Sequence, residues 1–125
     1  GTLYNLSILD KMTDATGTTI EDYTPKIIDQ IHFKNSTWDA IHEGMFKVIG
    51  NSSFLRMYSD LDVDVAGKSG TAQENELRPD HGLFVAFAPY DDPQIALAVV
   101  LEHGHSGKYS MSVAKAVLDA YFDIK

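Results

Sequence analysis

Two apolar runs restrict the fold of this chain more than any other feature. Residues 81–90 read HGLFVAFAPY, residues 94–103 read QIALAVVLEH, and only DDP lies between them. Nearly continuous apolar runs joined by so short a link are the pattern of adjacent antiparallel strands buried on both faces. They are therefore expected at the centre of a sheet. Just before them VDVAGKSGTAQ alternates its valines and reads as a further strand, approached through NSSFLRMYSDLD, a loop or irregular link. Just after them SMSVAKAVLDAYF sets Val113, Val117 and Tyr121 at steps of four beside Ala114, Leu118 and Phe122. That stripe is the signature of an amphipathic helix lying on the sheet.

The first part of the chain carries weaker signals. LYNLSILDKMTDATGTTIEDY has strand-forming residues on both sides of DATG, which predicts a hairpin closed around residues 14–17. KIIDQIHF after Pro25 reads as an extended segment. In STWDAIHEGMFKVI, Trp38, Ile41, Met45, Val48 and Ile49 recur on one helical face. Ser36 is the expected N-cap, Asp39 the reciprocal capping residue, and Gly50 the positive-φ stop. Gly44 inside that helix costs roughly 1 kcal/mol relative to alanine and is expected to mark close packing against a neighbouring backbone. The order is hairpin, helix, three strands, helix. It predicts an α+β fold in which an antiparallel β-sheet is covered by helices.

Bulk properties exclude several function classes. At 125 residues and 44% hydrophobic content the chain suits one small domain, or part of one. A net charge of −8 with no run of Lys or Arg speaks against a nucleic-acid partner or an anionic membrane surface, both of which need clustered positive charge. The absence of cysteine removes disulfides, a thiol nucleophile and thiolate zinc sites. No apolar run approaches the ~20 residues of a spanning helix, and no membrane contact is expected of this stretch. The chain opens at Gly1 without an initiator methionine, which points to a piece of a longer protein.

VAGKSGTAQ invites a phosphate-loop reading through Lys68 and Ser69. That motif needs a glycine five positions before Gly67, where Asp62 stands, and a helix following directly, where GTAQENELRPDHG has no helical period. The stretch needs another explanation. AGKSGTAQ, followed by HGLFVAFAPYDDPQIALAVVLEHG and a terminal helix, resembles the end of the transpeptidase domain of penicillin-binding proteins, particularly the class B type. The third motif of that family is lysine, threonine or serine, then glycine, and here it reads Lys68, Ser69, Gly70, Thr71, Ala72. GTLYNLSILDKMTDATG, TPKII and WDAIHEGMFKVI resemble the segment between the second and third motifs, so the likeness covers essentially all of the chain.

The resemblance implies the C-terminal portion of a serine β-lactamase or penicillin-binding transpeptidase-like fold, with residues 1–125 as a fragment. The nucleophilic serine-x-x-lysine motif and the serine-x-asparagine motif would precede Gly1. Of the serines present only Ser112 is followed three residues later by lysine, Lys115, and it lies after the third motif on the terminal helix, out of the family's order. The reaction implied is acyl transfer through a serine ester. In that reading catalytic roles fall to Lys68, which supplies positive potential, and Thr71, whose amide is one oxyanion donor. Lys68, Ser69, Gly70 and Thr71 together bind substrate: the hydroxyls meet a terminal carboxylate, and Gly70 admits the substrate backbone. The implied partners are a peptidoglycan stem peptide, β-lactam antibiotics and the missing N-terminal part of the domain. The setting is the extracytoplasmic face of a bacterial membrane, with no cofactor and no metal.

Other constellations have simpler readings. His103 and His105 alternate in EHGHSG with His81 as a third candidate ligand, but no carboxylate is expected to complete a metal shell, and a loop explains them. Asp60, Asp62 and Asp64 read as a solvated face, and Trp38, Met45 and Phe46 as core. A D,D-carboxypeptidase or β-lactamase relative shares the third motif, and a non-catalytic penicillin-recognising sensor or scaffold would keep the fold without turnover.

Overall fold

The computed structural model describes residues 1–50 and 55–123. It divides into two compact units, Gly1–Trp38 and Asp39–Lys125, each taken here by itself. Residues 51–54 of the linking stretch lie outside the described residues.

In the first unit β1 (Thr2–Tyr4), β2 (Lys11–Thr13), β3 (Thr19–Asp22) and β4 (Ile27–Gln30) form two antiparallel ladders, β1 with β4 and β2 with β3. The predicted hairpin is the inner ladder, and the extended segment after Pro25 is β4. Its turn is set by one carboxylate. Asp14 Oδ1 accepts the Thr16 amide at 2.8 Å, the Thr16 hydroxyl at 2.6 Å and the Thr18 amide at 3.0 Å, while Gly17 takes φ 87°. These donors favour the ionised form, and the Thr16 hydroxyl leads in lowering the Asp14 pKa. Phe33 packs on Trp38 with ring centroids 5.3 Å apart.

Helix α1 (Asn35–Gly50) begins where the Thr37 and Trp38 amides donate to the Lys34 carbonyl. Ser36 therefore lies inside the first turn and is not the N-cap. Gly50 is the last helical residue, and among the described residues Gly17 is the glycine with positive φ. Gly44 also differs from expectation: a Cβ there would meet nothing within 4 Å, so no backbone among the described residues packs against it. The apolar stripe is only partly covered. Ile49 is buried and Met45, Phe46 and Val48 are half-buried, but Ile41 is 41% exposed. Phe46 stacks on Tyr90 at 4.6 Å, as expected of a packing residue.

The second unit holds the short helix α2 (Leu55–Tyr58), strands β5 (Ala66–Ala72), β6 (His81–Ala88) and β7 (Ile95–Leu101), and helix α3 (Gly107–Asp123). The strands are antiparallel in the order β5-β6-β7. So β6 is central and, among the described residues, β7 is an edge, whereas the sequence places both runs at the centre. Burial on both faces is also corrected. Phe84, Ala86 and Ala88 are buried on the face shared with α3, whereas Val85 and Val100, on the alternate face, are 48% and 61% exposed. Both faces carry apolar side chains, so the run hides the alternation from the sequence.

Helix α3 covers the sheet with Met111, Ala114 and Leu118, all fully buried. Val113 and Val117 fall on its exposed flank, so the predicted stripe is rotated by about one residue. The small side chains of Ala86, Ala88 and Ala114 let helix and sheet approach, and Phe84 and Leu118 fill the space between, each contributing about 1.5–3 kcal/mol by burial. Ile49, Tyr58 and Val65 close the same core. The Tyr58 hydroxyl donates to the Met111 carbonyl at 2.8 Å, and burial, helped by the charge of Asp119, holds its pKa far above the ordinary value.

Candidate functional site

Strand β5 pairs with β6 on one side only, so the edge that carries Lys68, Ser69, Gly70 and Thr71 is open among the described residues. Lys68 is exposed, its ammonium donates to the Ser69 carbonyl at 2.6 Å, and no carboxylate pairs with it among the described residues. Two of its three protons remain for a ligand. The pleat sets Lys68 and Gly70 on the face of Val85 and Leu83, and Ser69 and Thr71 on the α3 face with Phe84 and Gly82. Lysine and hydroxyls therefore meet only at the strand edge. Thr71 is exposed and Ser69 half-buried.

Glycines fix this strand from below. A Cβ on Gly67 would lie 2.5 Å from the Phe84 ring, so the core aromatic sits directly against the strand backbone. Gly107, the first residue of α3, is buried, and a Cβ there would lie 2.7 Å from the Gly70 carbonyl oxygen and 3.0 Å from Ser69 Cβ. No helix follows β5 directly, as the sequence implies, yet the N-terminal end of a helix reaches the motif from later in the chain. Its partial positive charge adds to that of Lys68. Sequence reasoning missed this, because nothing local to KSGT announces α3.

The histidine reading is corrected in two respects. A carboxylate is present: Glu74 Oε2 lies 3.8 Å from His81 Nε2 and 4.0 Å from His103 Nε2. These three side chains could hold a cation by proximity, and His105 is not among them. Their hydrogen bonds limit that use. His103 Nδ1 faces the Pro79 carbonyl at 3.0 Å, so it carries the proton and leaves Nε2 free. His81 Nδ1 accepts the His103 amide at 3.1 Å, so the neutral ring keeps its proton on Nε2, where a metal would have to bind.

Ser112 and Lys115 do not form a nucleophile and base. The Ser112 hydroxyl donates back to the Lys108 carbonyl at 3.4 Å, and the Lys115 ammonium sits 2.8 Å from Asp119 and 3.0 Å from Asp60. The hydrogen bond that Lys115 donates to Asp119 leads in raising the Lys115 pKa, which holds the amine protonated. Asp60 is thus an ion-pair partner, while Asp62 and Asp64 are exposed.

Residues 1–123 match the family model of the penicillin binding protein transpeptidase domain. The chain belongs to that transpeptidase family. Among its relatives it is 33% identical over 107 residues to the peptidoglycan D,D-transpeptidase MrdA of Haemophilus influenzae, a match covering 72% of this chain and 16% of that protein. It is 38% identical over 96 residues to MrdA of Acinetobacter baumannii, covering 66% of this chain and 14% of that protein. Among solved structures, Pseudomonas aeruginosa PBP2 in complex with WCK 5153 superposes with a TM-score of 0.68 at 37% identity, covering 84% of this chain and 24% of that one. The chain thus spans less than a fifth of the length of these curated transpeptidase relatives. The α+β architecture with its antiparallel sheet is that of the transpeptidase domains. No helix among the described residues is long and apolar enough to cross a membrane.

Proposed function

We propose that residues 1–125 are the C-terminal portion of the transpeptidase domain of a peptidoglycan D,D-transpeptidase, and that β5 forms one wall of its acyl-transfer site. The observation that carries this is an exposed Lys68 that meets no carboxylate among the described residues, on a strand edge open among them, inside a chain that the family model matches almost from end to end. The transpeptidase names of the relatives favour cross-linking over carboxypeptidase or β-lactamase chemistry. The substrate is a stem peptide ending in a carboxylate, and a β-lactam presents an equivalent anion.

A substrate lying along the edge meets Lys68 from one face and the Ser69 and Thr71 hydroxyls from the other. Gly70 leaves the Lys68 face open, since the nearest heavy atom to a Cβ there would be Leu83 Cβ at 3.6 Å. The Thr71 amide serves as one oxyanion donor, and the nucleophilic serine, from sequence preceding residue 1, provides the attacking oxygen and the second donor. One such donor accounts for about 3 kcal/mol of transition-state stabilisation. The parent works at the extracytoplasmic face of a bacterial membrane. Its N-terminal half of the domain supplies the rest of the site, so residues 1–125 alone are inactive.

A fluorescent penicillin tests this directly. The full-length parent is expected to give a covalent, boiling-resistant adduct and the 125-residue chain none. An intact, folded parent that forms no adduct refutes the acyl-transfer reading; stoichiometric labelling of the short chain refutes the placement of the nucleophile.

A further inference from the structure

We propose that His103 is a positioning residue for the Ser69, Gly70, Thr71 edge, acting through the loop between β7 and α3. The inference rests on the acyl-transfer reading above for its catalytic consequence, and on geometry alone for the coupling. The contacts run in one direction. Among the described residues strand β5 has a neighbour on one side only, and on the α3 face the start of that helix at Gly107 lies against the Gly70 carbonyl. Where Gly107 sits is decided by residues 102–106.

That loop is held in a conformation it would not adopt unaided. His103 and His105 have φ 54° and 61°, the left-handed region that non-glycine residues seldom occupy. Three bonds to residues 79–81 hold them there. The His103 amide donates to His81 Nδ1 at 3.1 Å, the His103 ring donates from Nδ1 to the Pro79 carbonyl at 3.0 Å, and the His105 amide donates to the Asp80 carbonyl at 2.9 Å. The loop also lies directly on β6, because a Cβ on Gly82 would come within 2.5 Å of the Ser106 carbonyl oxygen. Ser106 then starts the helix, its carbonyl accepting the Tyr109 amide at 3.1 Å. Glu74, just beyond the end of β5, faces both imidazoles and joins the motif strand to the same clasp.

Two left-handed residues cost conformational energy that a plain connection would not, and the imidazole of His103 supplies, through its bond to the Pro79 carbonyl, the one side-chain bond of His103 among the three that hold them. Losing it lets the loop relax and Gly107 move off Gly70. The strand edge then loses its fixed geometry, although the buried core of Phe84, Met111 and Leu118 stays intact.

The test uses His103→Ala and His103→Asn. Asparagine tolerates positive φ and places an amide N–H where the ring Nδ1–H stands. In the full-length parent, H103A is expected to lower the saturating rate of acylation by a fluorescent penicillin at least tenfold, and H103N to restore it to within threefold. In the 125-residue chain, hydrogen exchange at the amides of residues 69–71 is expected to quicken at least tenfold in H103A and to recover in H103N. Should H103A not fold, His103→Gly, which accepts positive φ but cannot reach Pro79, carries both measurements with the same thresholds. Exchange unchanged in the ring-less variant overturns the coupling. Acylation within twofold of the unsubstituted parent, or a folded H103N that rescues neither, overturns the positioning role. An unsubstituted parent that does not label at all refutes the acyl-transfer reading instead, and exchange alone then decides the coupling.

Discussion

Gly107→Ala sets two effects of known size against each other. A methyl group at Gly107 would sit 2.7 Å from the Gly70 oxygen, 2.9 Å from the Leu83 oxygen and 3.0 Å from Ser69 Cβ. Ordinary contact begins at 3.4 Å, so the helix start must retreat by up to 3.4 − 2.7 = 0.7 Å from the motif strand. Two of the three obstacles are backbone in a paired ladder and cannot swing aside. Overpacking of this kind costs about 1–3 kcal/mol. Alanine recovers at most about 1 kcal/mol of helix propensity, less at the first helical position. The clash wins, and a net loss of about 1–2 kcal/mol is expected from urea unfolding of the chain. In the full-length parent the retreat of the helix start withdraws support from the strand that carries the Thr71 amide, so penicillin acylation is expected to fall on the order of 10- to 100-fold. A variant as stable as the original, or more so, refutes the close approach of α3 to β5 and with it the account of how the motif is held.

Three other outcomes are expected. In the parent, Lys68→Ala is expected to slow penicillin acylation by about 100-fold through loss of the cation at the site, and a slowing under threefold would remove Lys68 from the mechanism. Tyr58→Phe deletes a buried hydrogen bond and is expected to cost about 1 kcal/mol in the same urea assay. The raised Tyr58 pKa favours the neutral phenol in the folded chain. That stability is fully present below the unfolded value of 10.0 and is lost as pH rises towards the folded value, so tyrosinate absorbance should show one tyrosine that ionises only on unfolding. The Asp60 pKa is lowered by its bond to Lys115, so its stabilisation is present above the unfolded value of 3.8 and is lost as pH falls through the folded one. Lys115→Met is expected to remove that acid-side slope from thermal melts, and an unchanged slope would deny the pair any part in stability.

The hairpin turn, the α1 helix, the antiparallel pairing of β6 with β7, and the terminal helix were legible because each rests on local pattern or turn chemistry. Asp14 and Gly17 are an example: one carboxylate and one positive φ define the turn within five residues. What was not legible depends on contacts distant in sequence. The pairing of β1 with β4 joins Thr2 to Gln30, and nothing in either segment names the other. The exposed face of Val85 and Val100 reads as buried because composition cannot show which face is covered. At the site, KSGT announced itself by resemblance, but Glu74 did not, since its partners arrive from separate places, His81 from the start of β6 and His103 from the loop after β7. Gly107 was silent for the same reason. Its meaning appears only when the helix start is seen against Gly70.

In the proposed acyl-transfer role the motif strand faces contradictory demands, and the glycines resolve them. To bind an extended peptide along its backbone, β5 must leave one edge unpaired, yet an edge strand has half the ladder bonds of a central one and moves more easily. To stabilise a transition state its amides must be held within about 0.5 Å of their working position. The rigidity must then come from a direction other than the sheet. Here it comes from the α3 face, where Gly67 lets Phe84 press against the strand and Gly107 lets the helix backbone touch Gly70. Any side chain at either position would hold the supporting element away and turn the edge from fixed to mobile. In the same proposed role the glycine in KSGT works on the opposite face, where it would keep the approach for a substrate open. Support below, access above and an open edge between them account for the glycines around this motif in terms of one task, the fixed presentation of backbone amides to an anion.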